Sequence, residues 1–222
     1  MDSPALTECP KIVKRIARRK HPLQFSRIDP IAAEGRGGNR YDVPGGGVLY
    51  ASTQEEGCFA ETLARFRPAP RWSGLSHNGD NHLMNVGAVP ADWRIRRVVV
   101  NISLDDPLPF VDVESLATRT WLTNELATDL ISMGINHPLD VDDVRGKNRR
   151  LTRLIAHHIY TRTDIDDETP LYSGIRYVSR VGNHECWAIF DGVDIEDSEL
   201  FSIEKENSAL QTFAQEAGLI IH

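Results

Sequence analysis

Long apolar runs are missing from this chain. The longest β-branched stretch is Val98-Val99-Val100, far short of the roughly 18 apolar residues that cross a bilayer, so a membrane-spanning helix is excluded. Cysteine is scarce too. Cys9, Cys58 and Cys186 form no CxxC pair, and an odd count leaves one thiol over in any disulfide scheme, which argues against a stapled secreted scaffold or a zinc knuckle. The opening residues, Met1-Asp2-Ser3-Pro4-Ala5, lack the charged-then-apolar order of a secretory signal, so a cytoplasmic protein is expected. The sequon-like Asn101-Ile102-Ser103 is then idle. HExxH, GxSxG and EF-hand patterns are absent, as are a Walker A loop and a GxGxxG turn opening a helix. Zinc hydrolysis, serine acyl transfer and metal sensing lose their usual supports, and no metal is expected.

What is present suits an ordinary globular domain. The 222 residues are 41% hydrophobic and 26% charged, enough to build one proper core. Charge is uneven: the chain carries −7 overall, yet Lys11, Lys14, Arg15, Arg18, Arg19 and Lys20 fall within ten residues. That arm reads either as a docking site for an acidic partner or phosphate groups, or as a solvated amphipathic helix burying Ile12, Val13, Ile16 and Ala17. The expected organisation is a basic arm or helix over 1–22 and a single domain over 23–222.

Local patterns sketch the elements. Leu23 to Ile28 suits a short strand leading into a loop, Asp29 to Gly47, with six glycines. Val48-Leu49-Tyr50-Ala51 reads as a buried strand, and Ser52 and Thr53, each three residues before a glutamate, predict overlapping capping boxes for a helix ending before Pro68. A polar stretch from Ser73 to Gly87 precedes a central strand from Arg96 to Leu104. Helices are expected over 114–133, closed by Gly134, and over 148–161. Gly174 to Arg180 and Glu185 to Phe190 alternate as a β-hairpin, Val193 to Ile203 adds an edge strand, and 205–217 a closing helix. The whole predicts a mixed α+β domain.

Few residues offer chemistry. Glu61 lies about 200° around the helical wheel from Phe59, off the stripe marked by Phe59, Leu63 and Phe66. Its carboxylate is either a functional group or an ordinary exposed glutamate. Tyr50 is a site residue or a core aromatic. Arg27 at the mouth of the glycine loop and Arg40 within it offer forked donors to a phosphate, or surface salt bridges. Ser179 shares a strand face with Ile175 and Tyr177, unusual company for a serine. His157 and His158, adjacent on a helix, cannot present both rings on one face and read as one packed and one solvated.

Taken in order, Arg27 before a glycine-bearing loop, Val48-Leu49-Tyr50-Ala51-Ser52 before the helix carrying Glu61, and Gly174-Ile175-Arg176-Tyr177-Val178-Ser179 near the end resemble the RES domain family. The resemblance runs from about Leu23 to Phe190. It departs where the family commonly shows Gly-Gly-Arg-Trp, since here Gly37-Gly38 is followed by Asn39-Arg40-Tyr41. The resemblance implies an ADP-ribosyltransferase-like fold and cleavage of the nicotinamide–ribose bond of NAD, the substrate, with inorganic phosphate or water as acceptor. Glu61, Arg27 and Tyr50 would be catalytic, and Arg27, Arg40, Tyr50 and Ser179 would hold NAD. It further implies the toxin of a toxin–antitoxin pair, inhibited by a protein antitoxin and able to oligomerise through that complex, without direct contact to nucleic acid or membrane. An ADP-ribosyltransferase acting on a macromolecule and an inert binding module remain as alternatives.

Overall fold

The computed structural model describes residues 3–31, 35, 37–69, 86–166 and 168–222. Along the chain run β1 (Leu6–Thr7), β2 (Val13–Arg18), β3 (Ser26–Arg27), β4 (Gly47–Ser52) and α1 (Glu55–Leu63), the last ending in a 3-10 turn at Ala64–Phe66. Then come β5 (Ala88–Val89), α2 (Ala91–Ile95), β6 (Arg97–Leu104), β7 (Phe110–Asp112), α3 (Leu116–Glu125), α4 (Ala127–Ser132), α5 (Val141–Arg145) and α6 (Arg149–Tyr160). The hairpin β8 (Gly174–Val178) and β9 (Glu185–Phe190), β10 (Ile195–Ser202), α7 (Ser208–Ala217) and β11 (Ile220–Ile221) complete it. The predicted stretch from Ser73 to Gly87 falls almost wholly outside the described residues. Among the described residues no helix is long and apolar enough to cross a membrane.

The expected α+β class is met by a nine-stranded mixed sheet in the order β1-β7-β8-β9-β4-β2-β6-β10, with β3 beside β4. Only β7 and β8 are parallel within it. The strand β6, expected to be central, lies one in from the edge strand β10, yet it is apolar on both faces: Val98, Val100 and Ile102 join one core cluster and Val99 another. Helices α3 to α6 cover one part of the sheet, where Trp121, Leu151 and Ile155 pack against Ile175 and Ala188. Helices α1, α2 and α7 cover another, with Phe59, Trp93 and Phe213 over Val99.

Four local expectations are corrected by tertiary contacts. The basic stretch is no helix: residues 13–18 form β2, whose six residues pair in register with Arg97 to Ile102 of β6. Long-range pairing with a β-branched strand overrides the local helical spacing. The strand expected over 23–28 shrinks to β3, because Leu23 and Phe25 turn to pack against the core instead. The capping boxes do not form. Gln54 stands at the N-cap without a side-chain bond. Ser52 Oγ donates to the Glu185 carbonyl at 2.7 Å and Thr53 Oγ1 to Glu185 Oε2 at 2.6 Å, so β9 takes both hydroxyls. The helix expected over 114–133 bends into α3 and α4. Thr123 Oγ1 donates back to the Arg119 carbonyl at 2.7 Å, a contact that bends helices, and the bend lets Trp121, Leu122 and Leu130 share one core.

Candidate active site

The cleft begins where two strands part. β2 and β4 meet only at Lys14 and Ser52, while β3 joins the far end of β4 at Gly47 and Val48. Leu49 to Ala51 therefore have no strand partner on that edge, although β9 pairs with them on the other. A cavity of about 430 Å³ occupies the gap, walled by β2, β4, α1 and the β8–β9 hairpin.

Glu61 enters it from α1. Its Oε1 accepts a 2.5 Å hydrogen bond from Ser179 Oγ and lies 3.6 Å from Arg40 Nη2. Ser179 is buried in the hairpin turn just past β8, where its Oγ also accepts from the Val181 amide at 3.0 Å. That second bond fixes the hydroxyl rotor, so its proton is directed at Glu61. The serine on an apolar face thus marks the carboxylate's anchor.

Arg40 is nearly sealed, with 6% of its side chain exposed. Its guanidinium stands over the Tyr177 ring, 4.7 Å from the centroid. Burial opposes its charge, but Tyr41, Tyr177 and Glu61 outweigh that and raise its pKa. Arg40 Nη1 is buried without a partner among the described residues, a donor left for a ligand. The extra residue in the glycine loop is absorbed locally. Asn39 donates through its amide to Asp42 Oδ2 at 2.6 Å, and Gly38 turns the chain at φ 70°, where a Cβ would stand 2.5 Å from the same oxygen. Asp42 is buried and also accepts from Tyr50 OH at 2.9 Å. Burial, then the Asp42 carboxylate, pushes the Tyr50 pKa well up, so Tyr50 stays a neutral donor with its ring held at the cleft wall.

The structure brings Glu61, Ser179, Arg40 and Tyr50 together. Arg27 is not among the residues lining the cavity: its exposed side chain pairs with Asp191 at 2.7 Å. Arg15, named from the sequence only as part of the basic arm, and Arg149 and Arg180, which no sequence pattern singled out, line the cleft along with Arg40 and Arg65. Arg15 lay hidden in the basic run, flanked by Lys14 and Ile16, with no local signal to single it out. Burial pulls its pKa down to about 10. Burial, then the Arg180 and Arg40 cations, likewise lowers that of Arg149. These cations repel one another, as expected of a site prepared for an anion. Glu61 is the one carboxylate among the described residues of the lining. Cys58 and Cys186 also face the cavity, but burial drives both thiols up, Cys186 to about 12, so neither is a thiolate nucleophile.

The arrangement gathers five arginines around one fixed carboxylate. Nothing among curated proteins matches the chain. The RES domain family model matches residues 12–203, starting before Leu23 and so taking in β2 and Arg15. With a match over most of its length, the chain belongs to the RES domain family.

Proposed function

We propose that this protein cleaves the nicotinamide–ribose bond of NAD. The observation that carries the reading is Glu61, anchored by Ser179 and the single carboxylate among the described residues of a cleft whose other charged lining residues are arginines. As nicotinamide leaves, positive charge develops on the ribose, and a carboxylate beside the sugar stabilises that transition state more than the ground state. Nicotinamide departs neutral from a cationic pyridinium, so no strong general acid is needed. The Ser179 hydroxyl holds Glu61 in place, which keeps the stabilising charge preorganised.

Arg40 has a buried free donor beside Glu61, so it serves both as a positioning group for the carboxylate and as a clamp on the nearer phosphate. Arg15, Arg149 and Arg180 take the rest of the diphosphate by paired hydrogen bonds, the role expected of Arg27. Tyr50, fixed by Asp42, offers its ring to the nicotinamide. Inorganic phosphate or water accepts the ADP-ribosyl group. Family membership supports a toxin held by a protein antitoxin.

The test is nicotinamide release from NAD by the purified protein, with and without inorganic phosphate, alongside Glu61→Gln. Phosphate-dependent release identifies a phosphorylase, and release in both buffers a glycohydrolase. Wild-type rates in Glu61→Gln reject the mechanism. Label from NAD appearing on macromolecules of a cell extract would identify a transferase instead.

A further inference from the structure

The basic run seen in the sequence does more than supply Arg15. Its end, Arg18-Arg19-Lys20, lies beside the start of β6, because the Arg19 amide donates to the Arg96 carbonyl at 3.0 Å. Arg65, from the turn after α1, completes the group. Arg18, Arg19, Lys20, Arg65, Arg96 and Arg97 line one cavity of about 720 Å³, separate from the catalytic cleft except that Arg65 borders both. Its one carboxylate among the described residues, Asp92, is taken by Arg96 Nε at 2.6 Å. Arg19 Nη2 is held by Ser202 Oγ at 3.1 Å. Arg18, Lys20, Arg65 and Arg97 have no carboxylate partner among the described residues. Burial, then the Arg65 and Arg18 cations, lowers the Arg97 pKa, so the group is crowded enough to repel itself.

Such a concentration of cations on a chain of net charge −7 favours an anionic ligand, and the geometry narrows its class. The two large aromatic rings of the cavity are covered by its own arginines, Arg97 over Trp93 at 4.9 Å and Arg65 over Phe66 at 4.9 Å, which leaves the small His21 ring as a poor platform for a nucleobase beside so many cations. An extended acidic peptide presents carboxylates on one side only every ~7 Å, which would engage two or three of these cations. Consecutive phosphoryl groups carry charge on every unit, and arginine forks match their oxygens. The volume is that of a small-molecule site.

We infer that this cavity is a second ligand site that binds a chain of linked phosphates, as in an oligophosphate or the polyphosphate moiety of a small metabolite. The inference stands apart from the NAD reading, because the experiment reads binding and not turnover.

Tripolyphosphate is titrated calorimetrically into the full-length protein at ~0.1 M salt, where screening suppresses diffuse attraction. One molecule is expected to bind in this cavity and a second in the arginine-lined cleft, the two told apart by the variants that follow. The exposed-site triple Arg18→Gln/Arg19→Gln/Lys20→Gln, and separately Arg97→Gln from the neighbouring strand, should each weaken binding in the cavity by about tenfold or more. Two independent variants guard against a folding defect in either, checked by thermal melts. The cleft variant Arg149→Gln/Arg180→Gln should leave the affinity of the cavity within about twofold. Absence of binding overturns the inference, as do two sites that persist in the first two variants or binding lost altogether with the cleft variant. Displacement by an equal concentration of decaglutamate also overturns it and identifies a peptide surface.

Discussion

Ser179 and Glu61 are 118 positions apart in the chain, yet one hydroxyl proton joins them. Ser179→Ala removes that proton and also the acceptor of the Val181 amide. The expected result is a fall of about tenfold in kcat with KM little changed, and a stability loss of about 1 kcal/mol. A KM effect without a kcat effect would assign Ser179 to ground-state binding instead. Glutamine at 61 keeps an oxygen for the serine but loses the charge, so it should lower kcat by about a hundredfold or more. The exchange of Arg27 for Arg15 is tested in the same assay: Arg15→Gln should raise the KM for NAD severalfold, whereas Arg27→Gln, which breaks an exposed pair, should not.

Stability also depends on pH through His158. His158 sits half-buried, its ring centroid 5.3 Å from that of Trp121. Burial first and the Arg162 cation second lower its pKa. The native state thus resists a proton that the unfolded chain accepts near pH ~6.5, so this contribution to stability is complete above that value and is lost as pH falls toward the depressed native one. On going from about pH 7.5 to about pH 5.5, the Tm of the wild type should fall further than that of His158→Gln. Equal falls would reject the assignment.

At the scale of elements, the decisive contact is that of α1 against the sheet. Gly57 lies one turn before Glu61, and a Cβ there would meet Ser52 Oγ at 2.2 Å and His184 Cβ at 2.8 Å. Gly57→Ala must push α1 outward, which overpacking data put at about 1–3 kcal/mol. Because Glu61 rides on the same helix face, activity should drop more than stability explains, measured as kcat in protein shown to be folded. Unchanged kcat would mean that the helix yields without moving Glu61.

The elements themselves were legible to differing degrees. β4, α6, α7 and the β8–β9 hairpin follow from alternation, helical spacing and chemistry at their ends. Asn148 and Asn207 cap α6 and α7 through their side chains, and Gly218 closes α7 at φ 66°. By contrast β2 was masked by its cations. A strand held along one edge by a distant segment and touching β4 at a single pair carries no local mark of it, since Arg and Lys can lay their stems along the sheet and keep their charges in water.

Across the whole molecule, opposite fields coexist. The chain carries −7, yet the cleft lining includes five arginines and one carboxylate. NAD binding should therefore be salt-sensitive: raising NaCl from about 50 mM to about 500 mM is expected to raise KM severalfold while kcat holds, because screening weakens attraction to the cleft and not the chemistry at Glu61. A KM indifferent to salt would count against the arginines as the phosphate cradle.

The sequence by itself determined the α+β class, most of the strands and helices, and the candidates Glu61, Tyr50, Arg40 and Ser179, because periodicity, turn residues and motif order are local properties of the chain. Tertiary structure alone decided which arginines face the cleft, since Arg15, Arg149 and Arg180 come from a strand, a helix and a turn far apart in sequence and converge only where β2 and β4 separate. Charge acts through space, and only the folded chain assigns those distances.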